Sequence, residues 1–284
     1  MTTPIPAWAR ALLLVDRAVH SSVRLAALVR TELLLAGLST AEREAVNAAV
    51  FSAEDTYSPG GPTFSQGLFA WEREAFATAP FPPSGRVLLG GGGGGRELTG
   101  LCALGYEVVA FEPAPALSEA LIAVAAKHPR ARALRGSYAD LVLAARGGGG
   151  PLGSLLGERY DAVVLGWASL SHVTDAAERA SLLAALRSLA PGAPVLLSYL
   201  GPDDDGRANG RVERLRAPLR RWLSRAAGRA AATEGEGFGP GHGFYQRYTP
   251  EEIEALASAA GYELAMHERE PYPHALLAPR STVG

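Results

Sequence analysis

From Arg86 onward the chain alternates short apolar runs with helical segments, and nothing else in it restricts the fold as much. "RVLL" runs into glycine, "RELTGLCALG" reads as helix, "YEVVAFEP" as strand and "APALSEALIAVAAKHP" as helix. "ARALRGS" is a weaker strand, "DAVVLGW" a clear one, "TDAAERASLLAALRSLAPG" a helix with a Pro-Gly stop, and "APVLLSYL" another strand. Apolar runs this short fit strands buried on both faces. Their alternation with helices implies a parallel sheet with helices on each side. The tail, "YTPEEIEALASAAGYELAMHEREPYPHALLAPR", reads helix, strand, turn, strand, with Thr249 as N-cap, Pro250 at the first helical position and Glu252 completing a capping box.

The first 55 or so residues read as helix. Trp8, Leu12, Val15, Val19, Leu25, Val29 and Leu33 recur at roughly helical spacing, Gly37 stops the run, and "STAE" (39–42) opens a second helix. "YSPGGPT" is a loop, and one short helix is expected through "FSQGLFAWEREAF". The expected division is a helical extension or cap over residues 1–80 and a sheet domain over 81–284, with 201–248 as an insertion able to act as a lid. A second glycine run, Gly147–Gly150, reads as a surface loop, because no helix opens sharply after it.

Six consecutive glycines, Gly90–Gly95, fit any glycine template, so the count is uninformative and the flanks decide. A strand enters the run, a helix leaves it, and the next strand ends in Glu112, 17 positions after Gly95. Glycines allow close approach of a ligand to backbone N–H groups at a helix N-terminus, and a carboxylate at the second strand end can accept hydrogen bonds from ribose hydroxyls. A flexible linker would not be flanked by apolar strand and helix patterns. Dinucleotides and S-adenosylmethionine both satisfy these features.

From about Arg86 to Arg280 the chain resembles the class I S-adenosylmethionine-dependent methyltransferase family. "VLLGGGGGGRELTGLCALGYEVVAFEP" is similar to its first strand, glycine loop, helix and second strand; "YDAVVLGWASLSHV" to its fourth strand and following loop; "LLAALRSLAPGAPVLLSYL" to its next helix, turn and fifth strand. The resemblance implies a Rossmann-like, doubly wound, mostly parallel seven-stranded sheet whose last two strands form an antiparallel pair. It implies S-adenosylmethionine as cofactor and S-adenosylhomocysteine as product. Gly91, Gly93 and Gly95 take the family's glycine positions, Glu112 the ribose position, Ser137 and Tyr138 the adenine side, and Gly166 and Trp167 the loop after the fourth strand. The acid the family usually carries near the end of its first strand is Leu89 here.

Candidate catalytic residues are His172, His242 and Tyr245, since imidazole titrates near neutrality and a glycine- and aromatic-rich segment, "GFGPGHGFYQRYT", can shield a reaction from water. In the family, a residue at the place of His172 often holds the next helix instead. Tyr57, Phe64 and Trp71 are candidates for the acceptor pocket, and N-terminal extensions in the family also mediate homodimers.

Composition removes several rivals. Lys127 is the sole lysine and position 123 is Ala123, so a Tyr-x-x-x-Lys dyad is absent, which argues against an NAD(P)-dependent oxidoreductase. Cys102 is the sole cysteine, so no intrachain disulfide forms. The six histidines show no i, i+4 pair, and no metal site is expected. A net charge of −2, no signal peptide and no span-length apolar stretch fit a cytoplasmic protein without a membrane or nucleic-acid partner. Arg207, Arg211, Arg214, Arg221 and Arg225 at near-helical spacing keep a macromolecular acceptor open, although "DDDG" (203–206) and Glu213 oppose them and Pro218 can split their helix. The leading expectation is methyl transfer to O or N of a small molecule. The alternatives are an oxidoreductase, a macromolecule methyltransferase, or a non-catalytic domain binding S-adenosylmethionine or S-adenosylhomocysteine, to which Leu89 gives weight.

Overall fold

The computed structural model describes residues 6–202, 210–228 and 232–280, apart from the side chains of Ala11 and of residues 210–214. In chain order the elements are α1 (Ala7–Gly37), α2 (Thr40–Ala53), α3 (Pro62–Ser65), α4 (Ala70–Ala77), β1 (Arg86–Gly90), α5 (Arg96–Ala103), β2 (Glu107–Glu112), α6 (Pro115–Ala125), β3 (Ala131–Arg135) and α7 (Tyr138–Ala145). There follow β4 (Ala162–Leu165), α8 (Ala176–Leu189), β5 (Val195–Ser198), α9 (Gly210–Ala226), β6 (Glu236–Gly239), β7 (Gly243–Gln246), α10 (Pro250–Ala259), β8 (Tyr262–Glu268) and β9 (His274–Pro279). They divide into two compact units, residues 1–39 with 203–238, and residues 40–202 with 239–284.

The larger unit holds a seven-stranded sheet in the order β3-β2-β1-β4-β5-β9-β8. Strands β1 to β5 run parallel, β9 is antiparallel to β5, and β8 is antiparallel to β9. Successive strand residues face opposite sides. Leu88, Val109, Phe111, Val163 and Val195 therefore pack with α7, α8 and α10, while Val87, Leu89, Val108, Val164 and Leu196 pack with α4, α5 and α6. Strand order reverses direction between β1 and β4, which opens a crevice beyond their carboxyl ends. Gly90 is in register with Phe111 on one side and Leu165 on the other, so the glycine run, Glu112 and Gly166 all leave the sheet at that crevice. The capping box at α10 forms as the sequence implies: Thr249 Oγ1 accepts from Glu252 N at 3.3 Å and Glu252 Oε2 accepts from Thr249 N at 2.7 Å.

Three local expectations change. The single helix expected through residues 64–76 is two, α3 and α4, separated at Gly67, whose φ of 64° is left-handed. The loop after α7 keeps Gly147, Gly148 and Gly150 at the surface, but it is not a surface loop throughout: Leu152 and Leu155, three apart around a short 3₁₀ turn, are fully buried in the core. Pro218 does not split its helix; α9 runs through it.

In the smaller unit α1 packs on α9. Leu28, Thr31, Glu32, Leu35 and Ala36 are buried along α1, and Arg220, Leu223 and Ser224 along α9. Arg220 grips Glu32 with two bonds, Nε to Oε2 at 2.7 Å and Nη2 to Oε1 at 2.9 Å, and also donates to Glu236 O at 3.1 Å. Trp8, Leu12, Val15 and Val19 are exposed. Of the arginines singled out above, Arg221 and Arg225 are exposed, whereas Asp203–Gly206, Arg207 and the side chains of Glu213, Arg211 and Arg214 lie outside the described residues. No described helix is long and apolar enough to cross a membrane.

Candidate cofactor and acceptor site

A cavity of about 420 Å³ opens in the larger unit at the carboxyl ends of β1, β2 and β4. Its floor is Gly91–Gly94. The glycine turn is tied back to the sheet by Gly92 N donating to Phe111 O at 3.1 Å, and Gly166 N caps the end of β1 by donating to Gly90 O at 2.8 Å. A Cβ at Gly94 would meet the Tyr57 carbonyl, so the N-terminal loop and the glycine turn lie too close for any side chain there. Gly93 is different. Its φ is 52°, and a Cβ there would have nothing within 4 Å, because the position borders the open cavity. This is bare backbone beside space, as a ligand passing over the turn requires.

Glu112 sits beside it, buried, with Oε2 accepting from Gly93 N at 2.9 Å and Oε1 from Ala114 N at 2.9 Å. Burial pushes its carboxyl up to about 7, against the pull of those two N–H donors. Ser137 caps α7, its Oγ accepting from Asp140 N at 3.1 Å while Asp140 Oδ2 accepts from Ser137 N at 2.8 Å. Tyr138 is buried and its hydroxyl shares a 2.6 Å hydrogen bond with Ser169 Oγ; burial raises its pKa.

Across the cavity stands a wall of aromatics. Trp167 meets Phe69, Tyr272 and Tyr57 edge-on, with ring centroids 5.0, 5.3 and 6.4 Å apart. Next to it Ala168 holds a left-handed φ of 55°, unusual for a residue with a side chain, and its N–H is anchored on Ser198 Oγ at 2.8 Å. His172 Nδ1 lies 3.0 Å from Phe244 O. A carbonyl only accepts, so Nδ1 carries the proton and Nε2 has the lone pair. Burial holds this imidazole down to about 4, keeping it neutral. Phe51 packs against its ring at 4.9 Å.

The cavity thus gathers Gly91, Gly93, Glu112, Ser137, Tyr138, Trp167, His172 and His242, together with Tyr57 and Phe64 from the N-terminal region. Gly95, Gly166 and Tyr245 are not on its wall. Gly95 starts α5 with a φ of 101°, and Tyr245 lies under the Arg247 guanidinium, 5.2 Å from its ring centroid. Trp71 is a core residue stacked on Tyr272 and packed against a tilted His274 ring. Sequence reasoning missed Phe51 and Tyr272, which carry no local signal. It also missed the ion cluster of Arg96 and Glu97 with Glu72, although "RE" directly after the glycines was there to read. Among the described residues no cluster of His, Cys, Asp and Glu could hold a metal ion.

Residues 66–267 match the family described as a methyltransferase domain. The chain belongs to that family. Its methyltransferase domain has the class I, Rossmann-like fold. A SAM-dependent methyltransferase from Methanosarcina mazei superposes with a TM-score of 0.53 at 16% identity, over 75% of this chain and 99% of that one. The 1,6-didemethyltoxoflavin-N1-methyltransferase of Burkholderia thailandensis, solved with 1,6-didemethyltoxoflavin and S-adenosylhomocysteine, superposes at 0.56 and 18% identity, over 86% of this chain and 92% of that one. No protein in the curated set matches the chain significantly in sequence.

Proposed function

We propose that the protein transfers the methyl group of S-adenosylmethionine to an oxygen or nitrogen of a small molecule. The carrying observation is the cavity itself: a bare glycine turn and the Glu112 carboxylate on one side, and an aromatic chamber with a neutral histidine on the other. Gly91, Gly93 and Glu112 would hold the adenosine and Ser137 would face the adenine. The bound donor supplies an electrophilic methyl group on a sulfonium. Phe51, Tyr57, Phe64, Trp167 and Tyr272 exclude water from the acceptor side and favour a flat, largely apolar acceptor. Nε2 of His172 can accept a hydrogen bond from an acceptor O–H or N–H, orienting its lone pair toward the methyl group. His242, exposed and on the cavity wall, belongs to the segment that would cover the acceptor. The exposed apolar residues Trp8, Leu12, Val15 and Val19 of α1 support a homodimer through the N-terminal helices.

Methyl-labelled donor incubated with the protein and a metabolite extract tests the reading. The expected result is label in a low-molecular-mass product, with stoichiometric S-adenosylhomocysteine. Calorimetric binding of NAD(H) in preference to S-adenosylmethionine would overturn it in favour of an oxidoreductase. Label in RNA or protein would move the acceptor to the macromolecular class. Binding of donor with no transfer to any fraction would indicate a non-catalytic domain.

A further inference from the structure

The end of β1 carries no acid. Leu89 is fully buried in the core and has no polar atom to offer a ligand. Two buried carboxylates border the cavity at the glycine turn, and they differ in what remains open to a ligand. Each oxygen of Glu112 accepts one backbone N–H and keeps one lone pair, enough for a ribose hydroxyl. Glu97 accepts everything on one oxygen: Oε1 takes Arg96 Nη2 at 2.7 Å and Trp167 N at 3.1 Å, while Oε2 takes no hydrogen bond from any described residue. Glu97 is 5% exposed, and the space beside it is the cavity.

Arg96 does not neutralise it fully. Its guanidinium is held by Glu72 through Nη1–Oε2 and Nη2–Oε1 bonds of 2.6 Å each, donates to Gly67 O at 2.8 Å, and lies 4.0 Å from the Phe69 ring centroid. Two carboxylates and one guanidinium leave this buried trio one formal negative charge. A buried charge with an unused acceptor oxygen calls for a cationic N–H donor. The sulfonium of the donor has no hydrogen to give; its α-ammonium has three.

We propose that Glu97 binds the α-ammonium group of the donor's methionine portion, supplying from the first turn of α5 the carboxylate that β1 lacks. The inference rests on the cavity being an S-adenosylmethionine site. It divides recognition between two acids: Glu112 for the ribose hydroxyls and Glu97 for the amino-acid end.

Calorimetry on the full chain separates the two levels. The ligands are S-adenosylhomocysteine, its deaminated analogue and 5′-methylthioadenosine, against wild type, Glu97→Gln and Glu97→Asp. Glu97→Gln is expected to weaken S-adenosylhomocysteine roughly tenfold or more, the worth of a charge-assisted hydrogen bond, and to leave 5′-methylthioadenosine within about twofold. The wild-type preference for S-adenosylhomocysteine over its deaminated analogue should disappear in that variant and survive in part in Glu97→Asp. Unchanged S-adenosylhomocysteine affinity in Glu97→Gln overturns the proposal, as does an equal loss for all three ligands, which would mean a structural role. If Glu97→Gln does not fold, a wild type that binds S-adenosylhomocysteine and the deaminated analogue equally overturns it, and Glu97→Asp carries the comparison. A wild type that binds none of the three refutes the cofactor site itself.

Discussion

Glu112 and His172 are both shifted by burial, one acid raised and one base lowered, and the two shifts have separable consequences. Ribose hydroxyls donate to a carboxylate, so an adenosine ligand binds the ionised form of Glu112 and a proton competes with it. With the free carboxyl at about 7, affinity for 5′-methylthioadenosine should strengthen about tenfold between pH 6 and pH 8. Calorimetry across that range checks it, and in Glu112→Gln the dependence should vanish. For His172 the pKa of about 4 lies below its unfolded value of 6.5, so the unfolded chain takes up the proton first as the solution is acidified. His172 therefore withdraws stability as pH falls from about 6.5 to about 4, by up to about 3 kcal/mol. Glu112 acts with the opposite sign, stabilising below about 4.5 and losing that contribution as pH rises to about 7. Urea unfolding of wild type against His172→Gln at pH 7 and pH 5 isolates the histidine, and the variant should lose less stability on acidification. Gly93→Ala tests the open turn: a methyl group enters the space left for the ligand and costs roughly 1 kcal/mol of left-handed strain, so binding should fall much more than stability.

Asn47 fastens helix α2 to β7 at the backbone. Asn47 Nδ2 donates to Phe244 O at 3.0 Å and Asn47 Oδ1 accepts from Phe244 N at 2.5 Å, a two-point match to a buried peptide unit. The same carbonyl receives His172 Nδ1, so a single backbone group fixes α2, β7 and the orientation of the imidazole. Asn47→Ala removes the donor and acceptor together and should cost about 2–3 kcal/mol in urea unfolding, with weaker acceptor binding because Phe51 rides on α2. In the smaller unit the Glu32–Arg220 pair is buried and bidentate, and Glu32→Ala would strand a guanidinium; a loss of about 3–5 kcal/mol is expected for that unit, read from its own unfolding transition. Elements of this kind explain what the sequence did and did not reveal. The strands and helices after Arg86 were legible because a short unbroken apolar run and a 3.6-residue period are both local properties. Thr249 and Glu252 were legible because a capping box lies within four consecutive residues. Asn47 was not, since its partner lies 197 positions away. The break between α3 and α4 and the burial of Leu152 and Leu155 were missed for a related reason: glycine-rich stretches read as loops or continuous helix until packing decides which neighbours they touch.

At the scale of the molecule, the sheet supplies rigidity and the crevice at its strand reversal supplies the site. A ligand that binds only the folded chain at a hundred times its Kd should stabilise it by about 2.7 kcal/mol. For a domain of this size S-adenosylhomocysteine should therefore raise the unfolding temperature by about 5–10 °C, while NAD(H) leaves it unchanged. The placement of Gly91, Gly93 and Glu112 could be anticipated from the sequence because the fold leaves one position for each. Who faces them was legible only in part: Tyr57 and Phe64 were candidates from the sequence, whereas Phe51 reaches the cavity from α2, a helix whose pattern does not record which neighbour its residues meet.

The glycine run has one more consequence, at the level of the gene. Stretches of near-identical codons gain and lose units when DNA is copied, and most polyglycine tracts tolerate the change. Here the copies are not interchangeable. Gly91 turns the chain, Gly93 borders the open cavity, Gly94 lies against the Tyr57 carbonyl and Gly95 starts a helix. A chain of five or seven would set Arg96 and Glu97 out of phase with Glu72 and Trp167. Repeat length in this tract should therefore be as fixed as any single residue, and the run is a counted spacer written in an alphabet of one letter.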